Sequence, residues 1–296
     1  GGAGFLGGHL VERLTAQGWR VSVLDTRRPD LACPVRWIEA DVRDGTAMAA
    51  AAVGVDVVFH LGAVVGVERL LADPVEAIDV AVNGTLRALE AAASARAGLV
   101  HLSTSEVLGI NADVPWAEDA DRVLGSALVD RWGYGAAKAA AEHLVLSGAA
   151  SRGVPATVIR PFNVYGPRQE PRFVVPLMIR AALGGEPIPV HGRGTQTRCF
   201  TFVDDVVTAI VRAGDKAGVG PLLHIGSTEE VSIDRLAHLV VAAVGGPLEF
   251  AFDRPEERWG ARYQDIDRRV PDPALAGALR EGRTAAPDRD ALGGHR

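Results

Sequence analysis

The sequence predicts an α/β fold, a doubly wound parallel sheet with a smaller, interleaved C-terminal α/β substrate domain. Three observations carry this. Short valine-rich runs alternate with helix-like stretches over the first 100 residues, a glycine-rich turn, GGAGFLGG, opens straight into the first helical pattern, and an aspartate closes the next apolar run. Strand, helix and strand in repetition make a parallel sheet covered on both faces.

Taken in order, RVSVLD (20–25), VDVVFHLG (55–62) and GLVHLSTS (98–105) read as buried parallel strands. Between them GGHLVERLTAQG and VAVNGTLRALEAAASARAG read as helices, each closed by glycine. The next strand is expected in PATVIRPFNVYG (155–166), after which proline, glycine and arginine become frequent, as where loops carry a binding site. The main boundary is therefore placed near 166, with 1–166 binding a dinucleotide and 167–296 binding substrate. Two later pieces, TFVDDVVTAIVRAG as helix and PLLHIGS as strand, are expected to return to the first sheet. A turn of the GGAGFLGG kind should follow a central strand, which is expected ahead of Gly1 and outside this numbering. The tail after about residue 272 has weak periodicity and is expected to be poorly ordered.

A chain of 296 residues that is 48% hydrophobic supplies the core for one large domain or two closely packed ones. Its net charge of −6, with acids and arginines intermixed, excludes a sequence-independent grip on nucleic acid. Cys33 and Cys199 show neither CxxC nor zinc spacing, so no disulfide framework and no metal are expected. Without a secretory signal or an apolar run approaching 18 residues, a soluble cytoplasmic protein with no membrane partner is expected.

Gly1, Gly4 and Gly7 give GxxGxxG, a spacing that lets a pyrophosphate approach the N-terminus of a helix. Asp25 ends the next strand 18 residues after Gly7, where a carboxylate accepts hydrogen bonds from both hydroxyls of an adenosine ribose. Together they mark a Rossmann-type site. Arg27 and Arg28 could instead neutralise a 2′-phosphate, but Asp25 would repel it, so NAD is expected over NADP.

Residues 131–144, RWGYGAAKAAAEHL, hold one of only two lysines, Lys138 and Lys216, in a chain with 29 arginines and three tyrosines. On a helix Tyr134 and Lys138 stand side by side, one turn apart. HLSTSEVLG (101–109) brings hydroxyls and a carboxylate to the end of a parallel strand, the edge where open α/β sheets bind ligands.

GGAGFLGG, VFHLGA, VNGTLRALEAA, HLSTSEVLG, YGAAK and RPFNVYGPRQ occur in this order. Over about residues 1–272 the chain thereby resembles the extended short-chain dehydrogenase/reductase family, and within it the NAD-dependent nucleotide-sugar epimerases, dehydratases and decarboxylases. The resemblance implies that Thr104 is the active hydroxyl, Tyr134 the acid/base and Lys138 its lysine, with Ser105 and Glu106 beside them. It implies cofactor contacts at Gly1, Gly4, Phe5, Leu6, Gly7, Asp25, Asp41, Val42, Leu61, Ala63, Tyr134 and Lys138, with Asp41 and Val42 near adenine. Asn163 and Arg198 resemble positions that hold the sugar's diphosphate. The pair Arg268 and Arg269 reads most simply as a solvated face, although Arg269 could reach a phosphate. A phenol of pKa about 10 is a poor base at neutral pH, and the neighbouring ammonium is expected to favour its ionised form.

The implied reaction is transient oxidation at C4 of a nucleotide-diphosphate sugar, with hydride passing to NAD. The ketone acidifies C5 and turns a C6 carboxylate into a β-keto acid, so dehydration, decarboxylation or epimerisation can follow. A UDP-sugar 4-epimerase needs the least machinery and is placed first, with UDP-glucuronate decarboxylase or nucleotide-sugar dehydratase as alternatives. Thr104-Ser105-Glu106 resembles the decarboxylases, and Ser105 is a poor acid for expelling water. The arginine those decarboxylases bring from the second domain falls at Ala251, with Arg254 nearby. Hexuronate 4-epimerases often carry arginine where this chain has Glu170, a repulsive choice ahead of Arg172, which leaves room for a neutral hexose. Outside this chemistry, an NADP-dependent reductase would prefer a base to Asp25, and a nonenzymatic nucleotide sensor would not need Tyr134 or Lys138. His60 and His101 read as core histidines, and His191 shows no metal spacing. Helices at about 74–98 and 131–151 are expected to form the seam of a homodimer.

Overall fold

In the computed structural model the glycine turn leads directly into helix α1 (Phe5–Ala16), whose N-cap Gly4 is extended and offers no capping side chain. The structure describes residues 1–215, 220–246, 249–254, 257, 260–272 and 274; Lys216 and nearly all of the tail lie outside the described residues. Helix α1 buries Leu10, Val11 and Leu14 and is followed by Gly18 at φ 86, a left-handed conformation that side chains resist. Strands β1 (Ser22–Asp25) and β2 (Arg36–Glu39) pair in parallel. Helix α2 (Gly45–Ala51) starts at Asp44, whose carboxylate accepts the Ala47 amide proton at 3.0 Å.

After β3 (Val57–His60) come α3 (Val67–Ala72) and the long α4 (Pro74–Ala95). Helix α4 begins at the expected position because Asp73 caps it and Pro74 stands in its first turn, where a missing amide proton costs nothing. Strand β4 (Gly98–Leu102), helix α5 (Arg131–Arg152) and strand β5 (Ala156–Pro161) complete this half, α5 ending at Gly153 with φ 65.

The remaining elements are β6 (Val164–Tyr165), α6 (Val174–Gly184), β7 (Ile188–His191), β8 (Thr197–Cys199), β9 (Thr201–Phe202), α7 (Val203–Asp215), β10 (Leu222–Ile225), β11 (Glu230–Ser232), α8 (Ile233–Val244), β12 (Phe250–Asp253) and β13 (Arg268–Arg269). Strand β10 pairs in parallel with β5, giving the order β10-β5-β4-β3. The β1–β2 ladder pairs as a separate two-stranded sheet.

Both faces of the sheet are covered, as a doubly wound fold requires. Leu10, Leu14, Val206 and Ile210 of α1 and α7 pack on one side with Val100 and Ile159. On the other, Ala88, Leu89, Val145 and Ala149 of α4 and α5 pack with Leu99 and Val158. Alanine and glycine let these two helices approach closely; a Cβ at Gly148 would stand 2.6 Å from Leu89. The smaller sheets, β11-β8-β13 and β12-β7, gather with α6 and α8 around Met178, Ile188, Val190 and Leu236.

A buried ionic knot joins α5 to β5. Glu142, wholly buried, accepts two hydrogen bonds from Arg160 at 2.8 and 2.7 Å and others from Ser103 and Arg122. Burial alone would push the Glu142 carboxyl up, but Arg160, Ser103 and Arg122 outweigh it and hold it below the usual range. Its stabilisation is therefore present above the ordinary carboxyl range and lost as pH falls through the lowered folded value. Glu142→Ala leaves Arg160 charged and unpaired in the core, and is expected to cost about 3–5 kcal/mol, read from urea denaturation at pH 7; a loss below about 1 kcal/mol would mean that the knot behaves as a surface pair.

Candidate active site

Strand β4 delivers Ser103 and Thr104 to the carboxyl edge of the parallel sheet, and a tight 3-10 turn at Ser105–Leu108 follows. The Thr104 hydroxyl accepts the Glu106 amide proton at 3.3 Å and caps the turn. With three residues per turn, neighbouring side chains diverge widely. Thr104 and Glu106 thus reach the wall of a cavity of about 740 Å³, while Ser105, 2% exposed, is packed in the core. Ser105 was expected beside the reacting hydroxyl and does not line that wall.

Helix α5 presents Tyr134 to the same cavity, and Asn163, Arg198 and Arg269 line it too, so six expected site residues converge there. Asn163 adopts a left-handed φ of 35 and donates to the Cys199 carbonyl at 3.2 Å, which fixes its amide. Arg198 pairs with Asp265 at 2.9 Å; burial first and then Arg269 lower its guanidinium to about 10. Arg268 is exposed and bound to Glu230, but Arg269 is buried and donates to Glu106 Oε1 at 3.2 Å. The solvated face thus holds for the first arginine and fails for the second, because successive strand residues point to opposite sides.

One residue escaped the sequence reading. Arg131 stands three positions before Tyr134 on the same helical face and lines the cavity. It is 3% exposed, its Nη2 lies 3.6 Å from Glu106 Oε1, and its guanidinium sits 5.0 Å from the centre of the Tyr263 ring. Burial would push the Glu106 carboxyl up, yet Arg131 and Arg269 outweigh it and keep it low and ionised.

The tyrosine–lysine pair departs from expectation. Burial first, then the Glu106 charge, push the Tyr134 phenol above its ordinary range. Lys138 is 1% exposed, and burial lowers it to about 8. Its Nζ donates to the Leu102 carbonyl at 2.7 Å and lies 3.4 Å from His101 Nε2. The protein alone therefore keeps the phenol protonated, because desolvation and the Glu106 charge act in the same direction. His60 and His101 are buried with ring centres 5.2 Å apart, as core histidines.

The glycine turn is shaped for a ligand backbone. A Cβ at Gly7 would fall 2.2 Å from the Gly1 carbonyl oxygen, and one at Gly1 would fall 2.4 Å from the amide nitrogen of Gly62, which follows Leu61. Gly4 caps α1, and Phe5 and Leu6 form its first turn, leaving amide protons directed at the turn. Asp25 closes this cradle, accepting amide protons from Ala3 and Arg27 at 3.0 Å each. Val42 packs against Gly62 and Gly84, and Ala63 follows in the loop after β3. Asp41 is engaged by Arg43, which binds both its oxygens at 2.9 and 2.6 Å and also reaches Asp79. An uncapped helix N-terminus, a side-chain-free turn and an acidic strand end fit NAD.

Other candidates divide between the cavity wall and the surface. Ala251 lies on β12 and Arg254 is 80% exposed and paired with Glu257, so neither lines it. Glu170 does line it, but Arg172 donates to it at 2.6 Å, which matches the charge expected to repel a carboxylate. His191 pairs with Asp253 at 2.7 Å, burial pushes the Cys199 thiol up to about 11, and no metal-binding cluster occurs among the described residues.

Residues 1–226 match the family described as "NAD dependent epimerase/dehydratase family". The chain belongs to this family. Family members among its relatives include a UDP-N-acetyl-alpha-D-glucosaminuronate decarboxylase of Bacillus cytotoxicus, 36% identical over 282 residues covering 92% of this chain and 87% of that protein. A UDP-glucose 4-epimerase of Mycolicibacterium smegmatis is 36% identical over 270 residues, covering 86% and 84%. The solved structure of MoeE5 with UDP-glucose and NAD superposes with a TM-score of 0.83 at 31% identity, covering 98% of this chain and 93% of that one. The chain is thus an NAD-dependent enzyme of the nucleotide-sugar epimerase, dehydratase and decarboxylase kind, and no helix among its described residues is long and apolar enough to cross a membrane.

With only two lysines in the chain, Lys138 can be followed directly. In the cofactor-free protein, NMR of 13C-labelled lysine should show one signal titrating near 8. The sign for stability follows: charged Lys138 opposes folding fully below about 8, and the opposition fades as pH rises towards the ordinary 10.5. Two signals that both titrate above pH 10 would contradict the burial of Lys138.

Proposed function

We propose that the chain is a UDP-sugar 4-epimerase that works through a transient 4-ketone. The observation that carries this is the convergence, on one cavity, of a hydroxyl, a carboxylate and a phenol from one side and Asn163, Arg198 and Arg269 from the other. A sugar alcohol suits the first set and a diphosphate the second. In this arrangement Thr104 orients the C4 hydroxyl, Tyr134 takes its proton, and Arg198 and Arg269 hold the diphosphate. Ionised Glu106 has no proton to give, so it positions sugar hydroxyls. When bound, NAD supplies a hydride acceptor and a positive charge beside the phenol.

The Mycolicibacterium relative supports this choice. A second reading, decarboxylation, is favoured by the pairing of Glu170 with Arg172, which removes the repulsion argued against a carboxylated sugar, and by the Bacillus relative. We assign residues 1–166 together with the returning segment at about 200–226 to the NAD-binding domain, the rest to the nucleotide sugar, and the whole to the cytoplasm. A homodimer through α4 and α5 is supported by exposed Val75 and Ile78 on α4.

Tyr134→Phe is expected to retain NAD and to lose about 10²–10⁴-fold in turnover, followed by NMR of sugar products; near-normal turnover would exclude the assigned proton acceptor. Light scattering at micromolar concentration should give twice the chain mass, and a monomer would reject the helical seam.

A further inference from the structure

We propose that Arg131 makes the cavity selective for a UDP-hexuronate, a substrate with a carboxylate on C6 of its sugar. This rests on the assignment of C4 to Tyr134. Three arginines in the cavity are deeply buried, and their partners are unequally shared. Arg198 has Asp265 at 2.9 Å, and half-buried Arg172 has Glu170 at 2.6 Å. Arg131 and Arg269 divide a single oxygen, Glu106 Oε1, at 3.6 and 3.2 Å. The Nε atoms of both are buried without a hydrogen-bond partner. Asp265 also attracts Arg131 and Arg269 from its place beside Arg198, so three buried guanidiniums share two carboxylates. This leaves one positive charge out of water and unmatched, an arrangement that is costly unless a ligand anion completes it.

Position separates the two arginines. Arg269 pairs in register with Arg198 across β13 and β8, so it belongs to the side assigned to the diphosphate. Arg131 stands one helical turn from Tyr134 and so belongs to the sugar end. In a hexose C6 is two bonds from C4, so a C6 carboxylate extends from the ring next to the atom held at Tyr134. A guanidinium presents a planar fork that matches a carboxylate and gains far less from a primary alcohol. The Tyr263 ring, 5.0 Å away, and Glu106 hold that fork in place before any ligand arrives.

The test is calorimetric titration of the NAD-loaded full chain, and of its Arg131→Gln and Arg131→Lys variants, with UDP, UDP-glucose and UDP-glucuronate. Wild type is expected to bind UDP-glucuronate about tenfold or more tightly than UDP-glucose. Arg131→Gln should erase that preference while UDP affinity stays within about twofold. Arg131→Lys, which keeps charge without the fork, should retain part of the preference, and it decides the matter alone if the glutamine variant does not fold. Equal binding of the two sugars by wild type overturns the proposal. So does a uniform weakening of all three ligands in Arg131→Gln, which would place Arg131 on the diphosphate, or an undiminished preference in Arg131→Lys. Product NMR on the same samples separates the two levels. A preference for the acid without any C4 epimer or pentose product sinks the 4-ketone chemistry and spares Arg131, whereas turnover of UDP-glucose with no preference for the acid does the reverse.

Discussion

A single carboxylate oxygen, Glu106 Oε1, ties three distant parts of the chain together. It meets Arg131 on α5 and Arg269 on β13, and it is itself carried by the turn that follows β4. The sheet edge, the helix bearing Tyr134 and the second domain are therefore registered against one another by charge as well as by packing. Such a pair is strong because it is removed from water, and for the same reason it is intolerant of losing a member. The cavity walls inherit their spacing from it.

Beneath this layer the same device recurs. Glu142 holds Arg160, Arg122 and Ser103 from the middle of α5, so the helix is pinned one turn beyond Lys138 as well as beside Tyr134. Pinning matters because Tyr134 and Lys138 are set in a desolvated place that favours their neutral forms. The chain supplies position and dryness, and by itself keeps the phenol protonated.

How much of this was legible in the sequence depended on how local the governing physics is. The glycine turn could be read because only glycine survives contacts of 2.2 and 2.4 Å to backbone, and Asp25 because strand and turn fix its distance from that turn. Tyr134 and Lys138 could be paired because helical spacing is regular. Arg131 lies on the same face, but one arginine among 29 gives no signal until its burial is seen. Arg269 looked like half of a solvated pair because its partner is 163 residues away. Glu170 looked repulsive because nothing in a string of letters shows that Arg172 folds back on it. The sense of the tyrosine shift was missed for a related reason: desolvation is set by the whole surrounding fold, not by the nearest charge.

Strand β13 is only two residues long, and it joins β8 from a point far along the chain, placing Arg269 opposite Arg198. Among the described residues, the cavity wall takes Tyr263, Asp265 and Arg269 from the segment that follows α8, so one side of it is supplied by a stretch remote in sequence from Thr104, Tyr134 and Asn163. A ligand gripped by that stretch as well as by the sheet edge would stabilise their mutual arrangement by mass action, so occupancy of the cavity would be felt as resistance to unfolding.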